Sequence, residues 1–131
     1  MDATALVDVV IALALIEYFV FGLLVGRARG RFNVPAPAIA GHPTFERTLR
    51  AQQNTLEQLI IFVPSIWMFS SLVSAPIAAA LGVVFVIGRA LYFRGYVAEA
   101  SKRGTGFLVG GVAQLVLLLG ALIGGVIKAL G

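Results

Sequence analysis

A chain of 131 residues that is 60% hydrophobic and 12% charged, with a mean hydropathy of +0.98, has too little polar surface to enclose a soluble core, which excludes a soluble globular domain. Its net charge of +4 sits in a few clusters, with no basic run interleaved with exposed aromatics, so a nucleic-acid partner is not expected. The absence of cysteine removes disulfides and any protein thiol nucleophile.

Four apolar runs are each long enough to cross about 30 Å of hydrocarbon, which takes about 20 helical residues. The first runs from about Ala5 to Val25. The opening MDATALVDVV has no basic segment and no small-residue cleavage site, and reads as part of a retained span. Gly26 to Pro43 is basic and then rich in proline and glycine, and reads as a loop. The second span runs from about Thr48 to Val73, with a kink expected at Pro64. Ser74-Ala75-Pro76 is a short turn whose proline opens the third span, about Pro76 to Tyr96. Ser101 to Gly106 closes that helix with basic residues and glycines, and the fourth span runs from about Phe107 to Leu130. The expected fold is an all-α integral membrane protein, one four-transmembrane-helix domain over residues 1–131.

Arg27, Arg29, Arg31, Arg47, Arg50, Arg89, Arg94, Lys102 and Arg103 lie in or beside the first and third loops, and Lys128 lies toward the other side. The positive-inside bias then places those loops in the cytoplasm and both termini across the membrane. A bacterial inner membrane and the endoplasmic reticulum both suit this multi-pass arrangement.

Polar chemistry is concentrated in FERTLRAQQNTLE, Phe45 to Glu57. At about 100° per residue, Arg47, Gln53, Asn54 and Glu57 fall within roughly 60° of Arg50 on one helical face. In the third span, Arg89, Tyr92 and Tyr96, followed by Arg103, share a face if the helix continues past Gly95. The second helix leaves the cytoplasmic side and the third returns to it, so the two faces meet at one level. Tyrosines at a membrane boundary also form aromatic belts, and Arg94 and Lys102, off the shared face, read as headgroup-facing. For Arg50, Asn54, Glu57 and Arg103 together the cost of polar groups inside a membrane points to a site.

FERTLRAQQNTLE, followed by RALYFRGY and then SKR, resembles the family of membrane-associated proteins in eicosanoid and glutathione metabolism, most closely its leukotriene C4 synthase and microsomal glutathione transferase branch. The likeness covers nearly the whole span layout. It implies a homotrimer with glutathione bound between subunits near the cytoplasmic surface. Carried over by position, Arg50, Asn54 and Glu57 would hold glutathione from one subunit with Gln52 near by. Arg29, Tyr92 and Tyr96 would close on it from the adjacent subunit, Arg89 would support the site, and Arg103 would face the sulfur. Gln58 stands where the synthase has tyrosine, and Gly30 where it has a second arginine. The resemblance therefore implies general glutathione conjugation of hydrophobic electrophiles taken from the lipid, with peroxidase activity a further expectation, rather than leukotriene synthesis.

The chemistry is consistent with this. Glutathione carries two carboxylates and an ammonium, which arginines, an amide and one glutamate complement in kind. Its thiolate is the nucleophile, and a guanidinium that brings a thiol from a pKa of about 8.5 to about 6.5 stabilises the anion by about 2.7 kcal/mol. Arginine stays protonated, so Arg103 would act by charge and not as a base.

Three alternatives remain open at this stage: a lipid-binding, substrate-presenting protein, as in the five-lipoxygenase-activating branch of the same family; a small proton-coupled multidrug transporter built on Glu17; and a purely structural membrane protein. Glu17 also fits an interhelical hydrogen bond or ion pair in a trimer core. His42 reads as a solvated loop side chain, and with no cysteine and no second histidine a metal site is not expected. Asp8 is expected near the far membrane surface, Trp67 against helices or lipid, and Gln114 in a bond across helices. Gly106, Gly110 and Gly111 read either as a surface for close helix approach or as ordinary membrane composition.

Overall fold

Asp2 starts the first helix, its carboxylate accepting from the backbone N–H groups of Thr4 and Ala5 at 3.0 and 3.1 Å. In the computed structural model, which describes residues 1–131, this helix, α1, spans Ala3–Phe32. It does not stop at Val25 but continues through the arginine-rich segment expected to be loop, ending where Asn33 adopts the left-handed conformation at φ 56°, ψ 49°. A nucleated helix continues through glycines at about 1 kcal/mol each, and the arginines are good helix formers whose charge suits a C-terminus.

The connection is thus confined to residues 33–42, and α2 spans Pro43–Leu72, starting ahead of the expected Thr48. His42 is its N-cap: Nδ1 accepts from the Thr44 N–H at 3.1 Å, and the ring stacks on Phe32 with centroids 4.0 Å apart. The expectation of a solvated histidine is corrected here, because the helix end needs an acceptor and the imidazole supplies it. Helix α2 passes through Pro64 without ending. Ser74 caps α3, Ala75–Ala98, its Oγ accepting from the Ile77 N–H at 3.3 Å. A single turn of 3-10 helix over Ala100–Arg103 leads into α4, Gly104–Leu130.

The helices have 30, 30, 24 and 27 residues. At 1.5 Å per residue they measure about 36 to 45 Å, longer than the hydrocarbon layer. The surplus carries most of the arginines, at the end of α1, the start of α2 and the end of α3, with Arg103 in the 3-10 turn and Arg89 deeper within α3.

Three buried clusters stack along the bundle. The largest holds Val10, Ile66, Leu117 and the rings of Phe62 and Phe85, stacked at 3.8 Å. Toward the arginine-bearing end come Phe21, Ala51, Tyr92 and Phe93, with Phe21 and Phe93 stacked at 4.0 Å, and then Val25, Ala28, Val34 and Phe45. The outer surface is apolar: Leu108, Leu122, Ile123 and Ile127 are 66, 61, 59 and 67% exposed, which suits a lipid-facing surface. The molecule is an integral, multi-pass membrane protein.

Helices α3 and α4 meet backbone to backbone. A Cβ on Gly106 would collide with the Tyr92 backbone, and one on Gly88 with that of Gly110. Of the glycines expected to permit close approach, Gly106 does so, Gly110 lies against the Gly88 backbone with Arg89 Cδ and Phe85 O each 3.6 Å from where its Cβ would stand, and Gly111 has nothing within 4 Å.

Candidate functional site

Helix α2 presents its buried stripe through Thr48, Ala51, Thr55 and Leu59. Arg50, Asn54 and Glu57 follow one flank of that stripe, as the helical spacing requires. Arg50 Nη1 lies 3.6 Å from Glu57 Oε2, with both side chains about half exposed, and Asn54 Nδ2 donates to Glu57 Oε1 at 3.5 Å. An exposed pair of this kind is worth little to stability, so it is free to open for a ligand.

Arg89 of α3 reaches this flank from inside the protein. It is only 2% exposed, and its Nη2 donates to Asn54 Oδ1 and to Thr55 Oγ1, both at 2.8 Å. Its guanidinium carbon lies 4.1 Å from the centre of the Tyr92 ring. Tyr92 meets Tyr96 edge to face at 5.6 Å and has Phe107 of α4 at 6.0 Å.

Arg103 arrives by a different route from the one the spacing suggested. Helix α3 does continue past Gly95, but it ends at Ala98 with Glu99 extended at φ −163°. The 3-10 turn then folds back so that Lys102 O packs on Gly95, where any side chain would collide with it. This carries Arg103 over the Tyr96 ring at 5.3 Å, with Nη1 donating to Ala100 O at 2.7 Å.

One chain therefore links Arg50, Glu57, Asn54, Arg89, Tyr92, Tyr96 and Arg103 through successive contacts. Arg29 and Gln52 lie elsewhere. Arg29 Nη1 donates to Val34 O at 3.2 Å and Ala38 O at 2.7 Å, and its guanidinium covers Phe45 at 4.8 Å, so it pins the loop. Gln52, on the opposite flank of α2, donates to Tyr18 Oη at 3.0 Å. Arg47 also leaves the expected face: Nε donates to Val97 O at 3.2 Å, which secures the end of α3.

Thr55 was not foreseen as a partner of Arg89, because a buried threonine beside Asn54 looks like any core position. Gln114 does bond across helices, donating to Gln58 Oε1 at 2.9 Å.

Fold and polar flank together define a four-helix membrane protein with a cationic, amide-lined candidate site at one end of the bundle. The MAPEG family model matches residues 7–123, and the chain belongs to that family. It is 47% identical over 103 residues to human microsomal glutathione S-transferase 2, covering 78% of this chain and 70% of that protein. It is 46% identical over 112 residues to an uncharacterised protein of Synechocystis sp., covering 86% and 82%. To leukotriene C4 synthase of Rattus norvegicus it is 34% identical over 102 residues, covering 78% and 68%.

Proposed function

We infer that this protein is a membrane-bound glutathione transferase that activates the glutathione thiolate for attack on lipophilic electrophiles. The observation that carries the reading is the run of contacts in a single chain from Arg50 and Glu57 through Asn54, the buried Arg89, Tyr92 and Tyr96 to Arg103. The similarity to microsomal glutathione S-transferase 2 supports it.

In this reading Arg50 takes a glutathione carboxylate and Glu57 the glutamyl ammonium, the two ends of their mutual ion pair exchanging one partner for another. Asn54, Tyr92 and Tyr96 supply hydrogen bonds. Arg103, exposed and resting over Tyr96, stabilises the thiolate electrostatically. In a homotrimer with a shared site near the cytoplasmic face, Arg29 of a neighbouring subunit would close on the glutathione that Arg50, Asn54 and Glu57 hold, with Gln52 near by. The electrophile enters from lipid along the groove between α2 and α4, lined by Ile61, Phe107, Leu108, Val112 and Leu115 and opening beside Gln58. Reduction of lipid hydroperoxides by the same thiolate is a further expected activity.

Glutathione titration of the purified protein, following thiolate absorbance in the ultraviolet and then adding a generic aromatic electrophile, tests the reading in wild type and Arg103→Ala. Thiolate signal and conjugation that both fall in the variant support a transferase. Binding with neither thiolate nor turnover makes the protein a lipid-presenting member of the family, and no binding returns Glu17-coupled transport to first place.

A further inference from the structure

Two buried side-chain atoms, one on an acidic and one on a basic residue, have no partner inside the bundle. Glu17 Oε1 on α1 and Arg89 Nε on α3 are both buried and have no hydrogen-bond partner. The helices that carry them run in the same direction, toward the arginine-bearing end. Gly82 packs against Val10, whose side chain a Cβ there would meet, and the Phe21 ring stacks on Phe93. Glu17, seven residues beyond Val10 and four before Phe21, therefore comes level with Arg89, seven residues beyond Gly82 and four before Phe93.

They form no direct ion pair, yet contact is not required at this depth. The Nη2 end of Arg89 is committed to α2, where it holds Asn54 and Thr55. Its Nε edge is left without a partner. In a medium of low dielectric a carboxylate on the neighbouring helix acts over several ångströms, and an intramembrane ionisable residue is costly unless it neutralises another.

We propose that Glu17 is a positioning residue of the glutathione site, the counter-charge that holds the buried Arg89 guanidinium so that Asn54 and Tyr92 are presented to the ligand. This rests on the transferase reading given above. It also gives Glu17 a role that needs no proton transport. Removing the carboxylate leaves Arg89 as an uncompensated buried cation, free to shift away from Asn54. Removing Arg89 first leaves Glu17 with nothing to hold.

The test is a double-mutant cycle on the purified, detergent-solubilised protein with Glu17→Gln, Arg89→Gln and the double variant, reading the glutathione dissociation constant, kcat at saturating glutathione, and Tm without ligand. Glu17→Gln is expected to weaken glutathione about tenfold in the wild-type background and less than about twofold in the Arg89→Gln background, with coupled Tm values. Arg103 is untouched, so kcat at saturation stays within about twofold, a split between binding and turnover that general loosening of the bundle would not give. Glu17→Asp is expected to recover part of the lost affinity. Equal effects of Glu17→Gln in both backgrounds overturn the proposal, as does an equal fall in kcat. A coupled Tm cycle in a wild type that binds no glutathione keeps the pair and discards the ligand, whereas additive Tm values with glutathione bound discard the pair and keep the ligand.

Discussion

Arg89 and Asn54 are joined across two helices by a 2.8 Å hydrogen bond, with the arginine 2% exposed and the asparagine at the edge of the polar flank. The interior of the bundle thereby sets the orientation of a surface residue. Asn54 Oδ1 is held from below by Arg89, which leaves Nδ2 facing Glu57. A side chain so fixed meets a ligand with little conformational entropy left to lose.

The first prediction follows directly. Arg89→Met removes a buried guanidinium of similar length and orphans Asn54 Oδ1 and the Thr55 hydroxyl. It also strips Glu17 of its counter-charge. Loss of one member of a buried charged network is expected to destabilise the protein by about 3 kcal/mol or more, seen as a lowered Tm in detergent. Glutathione affinity falls with it. A Tm within a degree or two of wild type would show that Arg89 carries no structural weight.

Arg103 is expected to behave in the opposite way. It is exposed and bonded only to the Ala100 carbonyl, so Arg103→Ala leaves Tm unchanged. The thiolate absorbance of bound glutathione is lost and kcat falls about 10²- to 10³-fold, the range for removing one pre-positioned electrostatic group. Arg103→Lys keeps the charge but not the planar fork, and should retain part of the signal. Full turnover in Arg103→Ala would move the thiolate-stabilising role elsewhere in the cluster.

What could be read in advance divides along physical lines. The four helices were legible because each hides its backbone in lipid behind a long apolar run, and Arg50, Asn54 and Glu57 because a 3.6-residue period places them on one flank. The ends of the helices were not. GRARGRF carries the charge of a loop with the propensities of a helix, and its continuation to Phe32 depends on α1 being already formed. Within the chain, which of three neighbouring arginines binds the loop carbonyls is decided by how residues 33–42 fold back, and it is Arg29. The route of Arg103 was hidden for a similar reason. It depends on a 3-10 turn resting on Gly95, a packing event that no spacing rule encodes.

Glu57 offers a test of charge complementarity. Glu57→Gln keeps an acceptor for Asn54 and removes the anion that is to meet the glutamyl ammonium, so the KM for glutathione should rise about tenfold with kcat nearly unchanged. Gln53→Ala, one residue before Asn54 and exposed on the same face, serves as the comparison and should leave both constants within about twofold. Equal effects from the two substitutions would mean that the carboxylate has no specific ligand contact.

The close approach of α3 and α4 supplies the last prediction. Tyr92 belongs to the candidate site, and its backbone is where a Cβ on Gly106 would collide. Gly106→Ala must therefore push α4 away from α3, and overpacking of this kind costs about 1 to 3 kcal/mol. The displacement falls on Tyr92 and on the start of α4 beside Arg103, so both Tm and glutathione affinity should drop, in contrast to Arg103→Ala, where Tm holds. Gly111→Ala is the control, since nothing lies within 4 Å of its added methyl, and replacing glycine by alanine in a helix favours the helix. It should leave activity unchanged and Tm equal or slightly higher. If Gly106→Ala matched Gly111→Ala in both measurements, the backbone contact between the two helices would not be what positions Tyr92.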